Sequence, residues 1–265
     1  MYEYKTIKIE MDGNVAILTL NRPERHNCLN NTMAEEIADF YTKADEDPNI
    51  RCILLTGGTG KGFCGGADLV EWDELNEKND MVNLDIWNKN DHKMILTMKN
   101  VKKPVIAAVN GSTAGAGCDM AGTADVRFVS KKAKFVYAYV KVGYPPDVGG
   151  SWILPRIVGW PKAAELIMTG NTFTAEEAYK IGYASYLCEP EDLMKEAMAM
   201  AQQLAHGATV AIMEAKQLLR NSWFLDFKEE LAAELAAGDR CQETEDTIEA
   251  IRAFNEKRPP NYKGC

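Results

Sequence analysis

The stretch Pro104–Asp125, with the sequence PVIAAVNGSTAGAGCDMAGTAD, decides the fold of this chain. Its first part, Val105–Val109, is an apolar run bounded by a proline and an Asn-Gly pair, which is typical of a buried strand. Glycines follow, and small residues then favour a helix to about Thr123. A strand that turns through glycines into a helix leaves free N–H groups at the positive end of the helix dipole. The sequence therefore predicts a site for an anion, or for a carbonyl oxygen on which negative charge develops.

The length and composition of the chain predict one large domain, or a domain with an appendage. The chain has 265 residues, and 46% of them are hydrophobic, which is enough to build a full core. The formal net charge of −9 argues against nucleic acid as a main partner, and phosphate groups would need a local basic patch. The sequence has no apolar leader and no run of roughly 18 apolar residues, so we expect a cytoplasmic protein without a membrane partner.

The seven cysteines are widely spread and form no CxxC pair. An odd number of scattered cysteines is typical of reduced thiols, and their spacing matches no zinc site, so we expect no metal. Cys64 and Cys118 flank glycine-rich motifs, but no histidine lies near either of them in the sequence. This argues against a nucleophilic thiol.

Strands alternate with helices up to about residue 190, and the remainder is helical. We predict strands over residues 4–10, 15–20, 50–56, 105–109, 126–129 and 134–140. We predict further helices over residues 32–45, 151–158, 163–168, 174–181, 191–205, 208–222, 226–238 and 244–257. Such alternation predicts parallel sheets with right-handed crossovers. We therefore expect an α/β core over residues 1–190 and a helical region over residues 191–265.

Capping patterns mark two of the helix starts, and one segment stays open. Thr32 with Glu35, and Thr174 with Glu177, match the capping box. Residues 71–95 are highly charged and poorly patterned, and we interpret them as a helix or a mobile cover.

Several motifs, taken in order, resemble the crotonase (enoyl-CoA hydratase/isomerase) superfamily. The strongest are the central stretch, FCGGAD at 63–68 and AFNEKR at 253–258. Weaker matches are NRP at 21–23, KPVIAAVNG at 103–111, GG at 149–150, LPRIVG at 154–159 and AEEA at 175–178. The resemblance covers essentially the whole chain. It implies a crotonase-like spiral core of repeated ββα turns with a C-terminal helical trimerisation region.

The same resemblance implies a chemistry and an assembly. It implies acyl-CoA thioester substrates, and no cofactor beyond the coenzyme A that forms part of the thioester. It also implies a homotrimer or a dimer of trimers. The family's shared step is stabilisation of a thioester enolate by two backbone N–H groups, which the motifs place at Ala67 and Ala116. Both residues lie in glycine-flanked turns that enter helices, although such turns also serve tight packing alone.

The resemblance assigns a carboxyl group to only one of the two catalytic positions of hydratase members. The two glutamates of hydratase members fall at Asp119 and Tyr139, so the chain keeps one acid, shortened by a methylene, and lacks the second. This argues against the usual water-adding mechanism. Asp119 is either a catalytic or water-positioning residue, or a helix residue that pairs internally.

Asp147 is a further candidate for proton transfer. It resembles the catalytic aspartate of dienoyl-CoA isomerases and of ring-epoxyphenylacetyl-CoA isomerases, and residues 133–139 and 146–155 look most like the latter. Aromatic-CoA dehalogenases carry a nucleophilic aspartate there, but their other pocket residues find no close match. Asp147 lies between prolines and glycines on a stiff loop, where a carboxylate can move a proton between two carbons. The alternative is that it only caps the helix that follows.

Other residues are assigned to the substrate. Tyr137, Tyr139, Trp72 and His92 are predicted to line the acyl pocket, with a solvated position as the alternative for His92. The resemblance also implies a set of residues that contact coenzyme A. These are Arg25, Gly65, Ala67, Asp68 and Leu69, with Phe254 and Lys257 reaching a neighbouring subunit's ligand. Arg25 and Lys257 would supply local positive charge for phosphates, and surface solvation is the alternative for each.

Three functions follow as hypotheses. The leading one is an enoyl-CoA double-bond isomerase that uses Asp147 as its base. The second is a hydratase in which Asp119 and Asp147 handle water together. The third is a non-catalytic acyl-CoA-binding relative, which would exchange no substrate proton with solvent.

Overall fold

A computed structural model describes residues 3–60, 62–78 and 80–265 of the chain. The strands are β1 (Ile7–Asp12), β2 (Val15–Leu20), β3 (Cys52–Thr56), β4 (Gly62–Cys64), β5 (Val105–Val109), β6 (Ser112–Ala114), β7 (Val126–Ser130), β8 (Lys134–Val136), β9 (Thr172–Thr174) and β10 (Tyr186–Cys188). The helices are α1 (Asn31–Glu46), α2 (Leu69–Glu77), α3 (Met81–Asn100), α4 (Ala116–Thr123), α5 (Gly150–Val158), α6 (Trp160–Thr169), α7 (Ala175–Lys180), α8 (Leu193–Ala205), α9 (Thr209–Asn221), α10 (Phe227–Gln242) and α11 (Glu245–Glu256).

Two sheets form the core, and consecutive strands from β3 to β8 alternate between them. The large sheet has the order β1-β2-β3-β5-β7-β10, and the small sheet has the order β4-β6-β8-β9. The β1–β2 hairpin is antiparallel, whereas β2, β3, β5, β7 and β10 run parallel. The strand pairs β3–β4 and β5–β6 are each followed by helix, so each gives one strand to each sheet before a helical crossover. This is the repeated ββα turn that was expected.

The central strands are buried because they are covered on both faces. Every residue of β3 and β5 is buried, as continuous apolar runs in parallel sheets require. Leu54 and Ile106 face α8, whose Ala197 and Ala201 are fully buried. The first helix of the predicted 191–265 region therefore packs on the large sheet. That division of the chain stays a prediction.

Two local predictions need correction. α1 begins at Asn31 with Asn30 as its cap, whose side chain accepts a hydrogen bond from the N–H of Met33, so Thr32 is not the cap. Residues 134–140 contain the short strand β8 and then enter a 3₁₀ helix over Ala138–Val142. Residues 71–77 lie in α2 and residues 81–95 lie in α3, so the helical interpretation of this segment is confirmed for those residues. The Thr174–Glu177 capping box is confirmed.

The last helices differ from the rest in what they bury. α9 is fastened by Lys216, whose ammonium lies 2.6 Å from the Asp125 carboxylate at the end of the central stretch. By contrast, α10 and α11 leave large apolar side chains at the surface. These are Phe227, Leu231, Leu235, Ile248, Ile251 and Phe254. Within the described ranges, no helix has the length and apolar character needed to cross a bilayer.

Candidate active site

A cavity lies where the two glycine-rich turns, α3 and the loop before α5 meet. Its volume is about 110 Å³. The lining residues are Gly65, Gly66, Ala67, Leu69, Trp72, Trp87, Asn88, Asp91, Ala114, Gly115, Ala116, Ala138, Tyr139, Val142, Tyr144, Asp147 and Val148. We call this space the acyl cavity. It brings together residues from four segments that are far apart in the sequence.

The first turn, between β4 and α2, is held by backbone hydrogen bonds on both sides of Ala67. The N–H of Leu29 donates to the Gly66 carbonyl at 2.7 Å, and the N–H of Asp68 donates to the Leu29 carbonyl at 2.8 Å. The N–H of Ala67 itself donates to no protein group in the described part of the chain. A fixed turn with one free donor thus faces the acyl cavity.

The second turn places Ala116 beside the first. Ala116 is the first residue of α4, so its N–H has no acceptor inside the helix. The two turns touch at Gly66, where a Cβ would lie 2.9 Å from the Ala114 carbonyl oxygen and 3.8 Å from the Ala116 nitrogen. Gly66 has a φ of +88°, a conformation that glycine adopts without strain. Two free N–H groups can therefore point at one oxygen atom.

Asp119 lies behind the acyl cavity and not on its wall. It is fully buried in α4, and its Oδ2 accepts a hydrogen bond from the Tyr139 hydroxyl at 2.5 Å. Tyr139 lines the cavity and separates Asp119 from it. Burial raises the pKa of Asp119 well above its usual value; the Tyr139 bond lowers the pKa, and the nearby Asp147 raises it. The protonated form of this carboxyl is thus favoured, and Tyr139 lies between it and the cavity.

Asp147 lies on the wall of the acyl cavity, in the loop before α5. That helix is capped by Gly149, whose φ is +88°, without a side-chain cap bond, so Asp147 is not its cap. Burial raises the pKa of Asp147, and its own backbone N–H and the nearby His92 oppose the rise. Such a carboxylate is free to act on a ligand and is a stronger base than an exposed one.

Asp91 is a cavity residue that the sequence patterns did not indicate. It is 7% exposed in α3, and its Oδ2 accepts a hydrogen bond from the Trp87 indole at 3.0 Å. Burial raises its pKa to about 7; the Trp87 bond opposes the rise and Asp147 adds to it. Its one signal in the sequence was the Trp-x-x-x-Asp spacing, which puts both side chains on one helix face.

The other predicted pocket residues divide between the cavity and elsewhere. Trp72 lines the cavity and packs edge-on against Tyr144, with ring centroids 5.5 Å apart. Tyr137 is fully buried in the core and does not line the cavity, whereas Tyr139 does. His92 is exposed and does not line the cavity, although its proximity opposes the rise in the pKa of Asp147.

Comparison with known proteins identifies the family. The family model for enoyl-CoA hydratase/isomerase matches residues 10–265. The chain belongs to the enoyl-CoA hydratase/isomerase (crotonase) family. It is 35% identical to the short-chain-enoyl-CoA hydratase of Clostridium acetobutylicum over 256 residues, which cover 97% of both chains. It is 34% identical to the 1,2-epoxyphenylacetyl-CoA isomerase of Escherichia coli, over 96% of this chain and 97% of that protein.

Solved structures show the same crotonase fold. The enoyl-CoA hydratase of Bacillus anthracis superimposes with a TM-score of 0.92 at 30% identity, over 98% of this chain and 100% of that one. A crystal structure titled putative enoyl-CoA hydratase, from Streptomyces coelicolor, superimposes with a TM-score of 0.94 at 30% identity, over 100% and 96% of the two chains. The crotonase spiral with its C-terminal helices is therefore the fold of this protein.

In this crotonase, Arg25 and Asp68, two of the residues predicted to bind coenzyme A, form a charged cluster with Arg22, which the sequence analysis did not indicate. Arg22 and Arg25 each place a guanidinium nitrogen 2.9 Å from the buried carboxylate of Asp68. Burial raises the pKa of Asp68, but hydrogen bonds from Arg25 and Arg22 outweigh it and hold the pKa below its ordinary value. Asp68 therefore positions the two arginines, while Gly65 and Leu69 line the cavity beside them.

The residues of the last helix that were predicted to contact coenzyme A do not reach the acyl cavity of their own chain. Phe254 is 84% exposed, and neither it nor Lys257 lines the acyl cavity.

Among residues 3–60, 62–78 and 80–265, no group of three or more histidine, cysteine or carboxylate side chains could hold a metal ion. Burial raises the pKa of the Cys64 thiol to about 12 and that of Cys118 well above its usual value.

Proposed function

We propose that this crotonase moves a double bond in an enoyl-CoA thioester. The thioester oxygen would accept hydrogen bonds from the N–H groups of Ala67 and Ala116, and Asp147 would transfer the proton. One observation carries this proposal: Asp147 shares the acyl cavity with both donors, whereas Asp119 is separated from it by Tyr139. A carboxylate beside an oxyanion hole suits proton transfer between carbons, which needs no added water.

The steps follow from these positions. The Asp147 carboxylate removes a proton from a carbon conjugated with the thioester, and the electron pair moves to the thioester oxygen. The two backbone N–H groups stabilise the resulting enolate, each contributing about 3–4 kcal/mol to the lowering of the barrier. Return of a proton at another carbon completes the shift and restores the thioester carbonyl.

The names of two relatives support an isomerase. One is the epoxyphenylacetyl-CoA isomerase described above. The other is a trans-2-decenoyl-[acyl-carrier-protein] isomerase of Streptococcus mutans, 35% identical over 262 residues that cover 99% of both chains. Isomerases are thus found among proteins about as similar to this chain as the hydratases are.

A hydratase is the second candidate, because the Clostridium relative of 35% identity bears that name. It requires two groups that handle water together. The hydratase hypothesis pairs Asp119 with Asp147, and Asp119 does not line the cavity because Tyr139 lies between them, which favours the isomerase.

The remaining assignments are part of the same proposal. The arginine cluster at Asp68 and the adjacent turn would hold coenzyme A, with Arg25 as a phosphate contact. The exposed apolar residues of α10 and α11 support a homotrimer or a dimer of trimers, in which Phe254 and Lys257 would meet a neighbour's ligand.

Incubation of the enzyme with 2-enoyl-, 3-enoyl- and 3,5-dienoyl-CoA thioesters in deuterated water tests the proposal. An isomerase gives products with a moved double bond and deuterium but no added water, as read by mass spectrometry. Products heavier by one water would make it a hydratase. Binding without any proton exchange would make it a non-catalytic acyl-CoA-binding protein.

A further inference from the structure

We propose that Asp91 is the second proton carrier of this site and returns a proton to the acyl chain after Asp147 has removed one. The inference rests on the proposed isomerase function. It adds a residue of α3 that neither the glycine-rich motifs nor the hydratase positions include. Its support is the place of Asp91, the contacts of its two carboxyl oxygens and the charge that faces it.

Asp91 and Asp147 lie on adjoining walls of the acyl cavity. Both side chains line it, one from α3 and one from the loop before α5. That loop packs along α3: a Cβ added to Gly149 would lie 3.7 Å from Cγ1 of Ile95, which is one turn after Asp91 on the same helix face. An acyl chain that enters the cavity past the oxyanion donors can therefore meet both carboxyl groups.

The two oxygens of Asp91 have different surroundings. Oδ2 accepts the Trp87 hydrogen bond, whereas Oδ1 is buried and has no hydrogen-bond partner among the described residues. A buried polar atom without a partner costs about 1–3 kcal/mol. Native structures that keep such an atom call for an explanation, and a catalytic role is one of the recognised ones. Oδ1 of Asp119 is also buried without a partner among the described residues, but Asp91, unlike Asp119, lines the acyl cavity.

The charge near Asp91 favours its protonated form. Asp147 faces it from the adjoining wall and disfavours a second negative charge, in addition to the effect of burial. The Cys64 thiol on β4 also interacts with Asp91, and its own pKa is raised to about 12, so it stays neutral. Glu35 of α1 is exposed and bonded to Asn90.

Two carboxyl groups that repel each other in one apolar cavity divide the roles of acid and base. Asp147 is less buried than Asp91, so burial disfavours its ionised form less. One member of the pair is therefore ready to accept a proton while the other holds one.

The proposed step balances. Asp147 accepts a proton as a C–H bond breaks, and the electron pair enters the enolate. The O–H bond of Asp91 then breaks as a new C–H bond forms at the distal carbon, and the thioester carbonyl is restored. Asp147 now holds a proton and Asp91 is ionised, so transfer of that proton between the neighbouring carboxyls, directly or through water, returns the site to its resting state.

Asp91→Asn tests this step against the wild-type enzyme. Deuterium exchange at the carbon attacked by Asp147 should stay within a few-fold of wild type, while formation of the shifted product falls about 10²–10⁴-fold. The wild-type rate of product formation should fall as the pH rises through about 7, because Asp91 then loses its proton. Unchanged product formation and an unchanged pH profile in Asp91→Asn would overturn the inference.

Two further variants separate catalysis from structure. Asp85→Asn makes the same change on the same helix at an exposed residue that pairs with Lys89, and it should leave both rates unchanged. Trp87→Phe removes the bond that lowers the Asp91 pKa, so the alkaline fall in rate should move to higher pH. A Trp87→Phe variant whose profile does not move would overturn the inference, even if Asp91→Asn fails to fold.

Failure of this inference and failure of the proposed function give different results. If wild-type enzyme moves no double bond in any of the thioesters, both are overturned. If wild type isomerises and Asp91→Asn does so at the same rate and with the same pH profile, the isomerase stands and Asp91 has no part in proton transfer.

Discussion

Asp119 and Asp147 carry the same side chain, and the fold gives them opposite surroundings. Asp119 is sealed inside α4 with its proton held by burial and a tyrosine in front of it. Asp147 stands on the cavity wall beside the two free N–H groups. The difference teaches that access to the reacting atoms, and not the presence of a carboxyl near a motif, selects the base. The variants below break or sharpen that comparison.

Asp147→Asn should have the largest effect. Isomerisation should fall about 10²–10⁴-fold with unchanged thermal unfolding, because the amide cannot accept the substrate proton. Steady-state kinetics on the best thioester measures the loss. Asp119→Asn is the matched variant and should lose less than about tenfold, since Asp119 does not line the cavity. Equal losses in the two variants would abolish the distinction between the aspartates.

Gly66→Ala should cause the second-largest loss of activity. Its Cβ would lie 2.9 Å from the Ala114 carbonyl oxygen, so the two turns must separate and the N–H groups of Ala67 and Ala116 can no longer share one oxygen. We expect kcat to fall about 10²–10³-fold. Gly13→Ala is the control: it has a positive φ of +57° but no contact nearer than 3.9 Å, and should cost stability without affecting kcat. A Gly66→Ala enzyme with wild-type kcat would argue against the oxyanion hole.

Tyr139→Phe should act mainly on stability. It removes the hydroxyl that donates to Asp119 and leaves a buried carboxyl without its donor, at a cost of about 1–3 kcal/mol. Urea unfolding measures the change. Tyr144→Phe, on the same cavity wall, should cost less, since its hydroxyl makes no hydrogen bond to the described residues. Equal costs would show that the Asp119 bond adds nothing.

The pH dependence of stability should give the smallest effect. The pKa of Asp119 is raised in the folded chain above its usual 3.8, so the folded state holds the proton more tightly than the unfolded state. The free energy of unfolding then falls as the pH rises above the unfolded pKa of about 4. Asp119→Asn should lack this part of the fall, whereas the exposed Asp85→Asn should retain it. Parallel curves for wild type and Asp119→Asn would contradict the buried, protonated state.

Much of the fold follows from local patterns. The apolar runs at β3 and β5 and the Thr174 capping box were predicted because periodicity and capping act within a few residues. The start of α1 was misplaced because Asn30 competes with Thr32 as a cap, and both types suit that position. The short strands of the small sheet, such as β4 and β6, have too few residues to show a period.

The sequence by itself determined the family, the alternation of strands and helices, and the two glycine-rich turns that hold Ala67 and Ala116. These are local chemical patterns, written in consecutive residues. Only the tertiary structure decided that Asp119 is sealed behind Tyr139, that Tyr137 belongs to the core, and that Asp91 reaches the cavity beside Asp147. Burial and charge at these positions depend on segments brought together from distant parts of the chain, and no local pattern records which of them will meet.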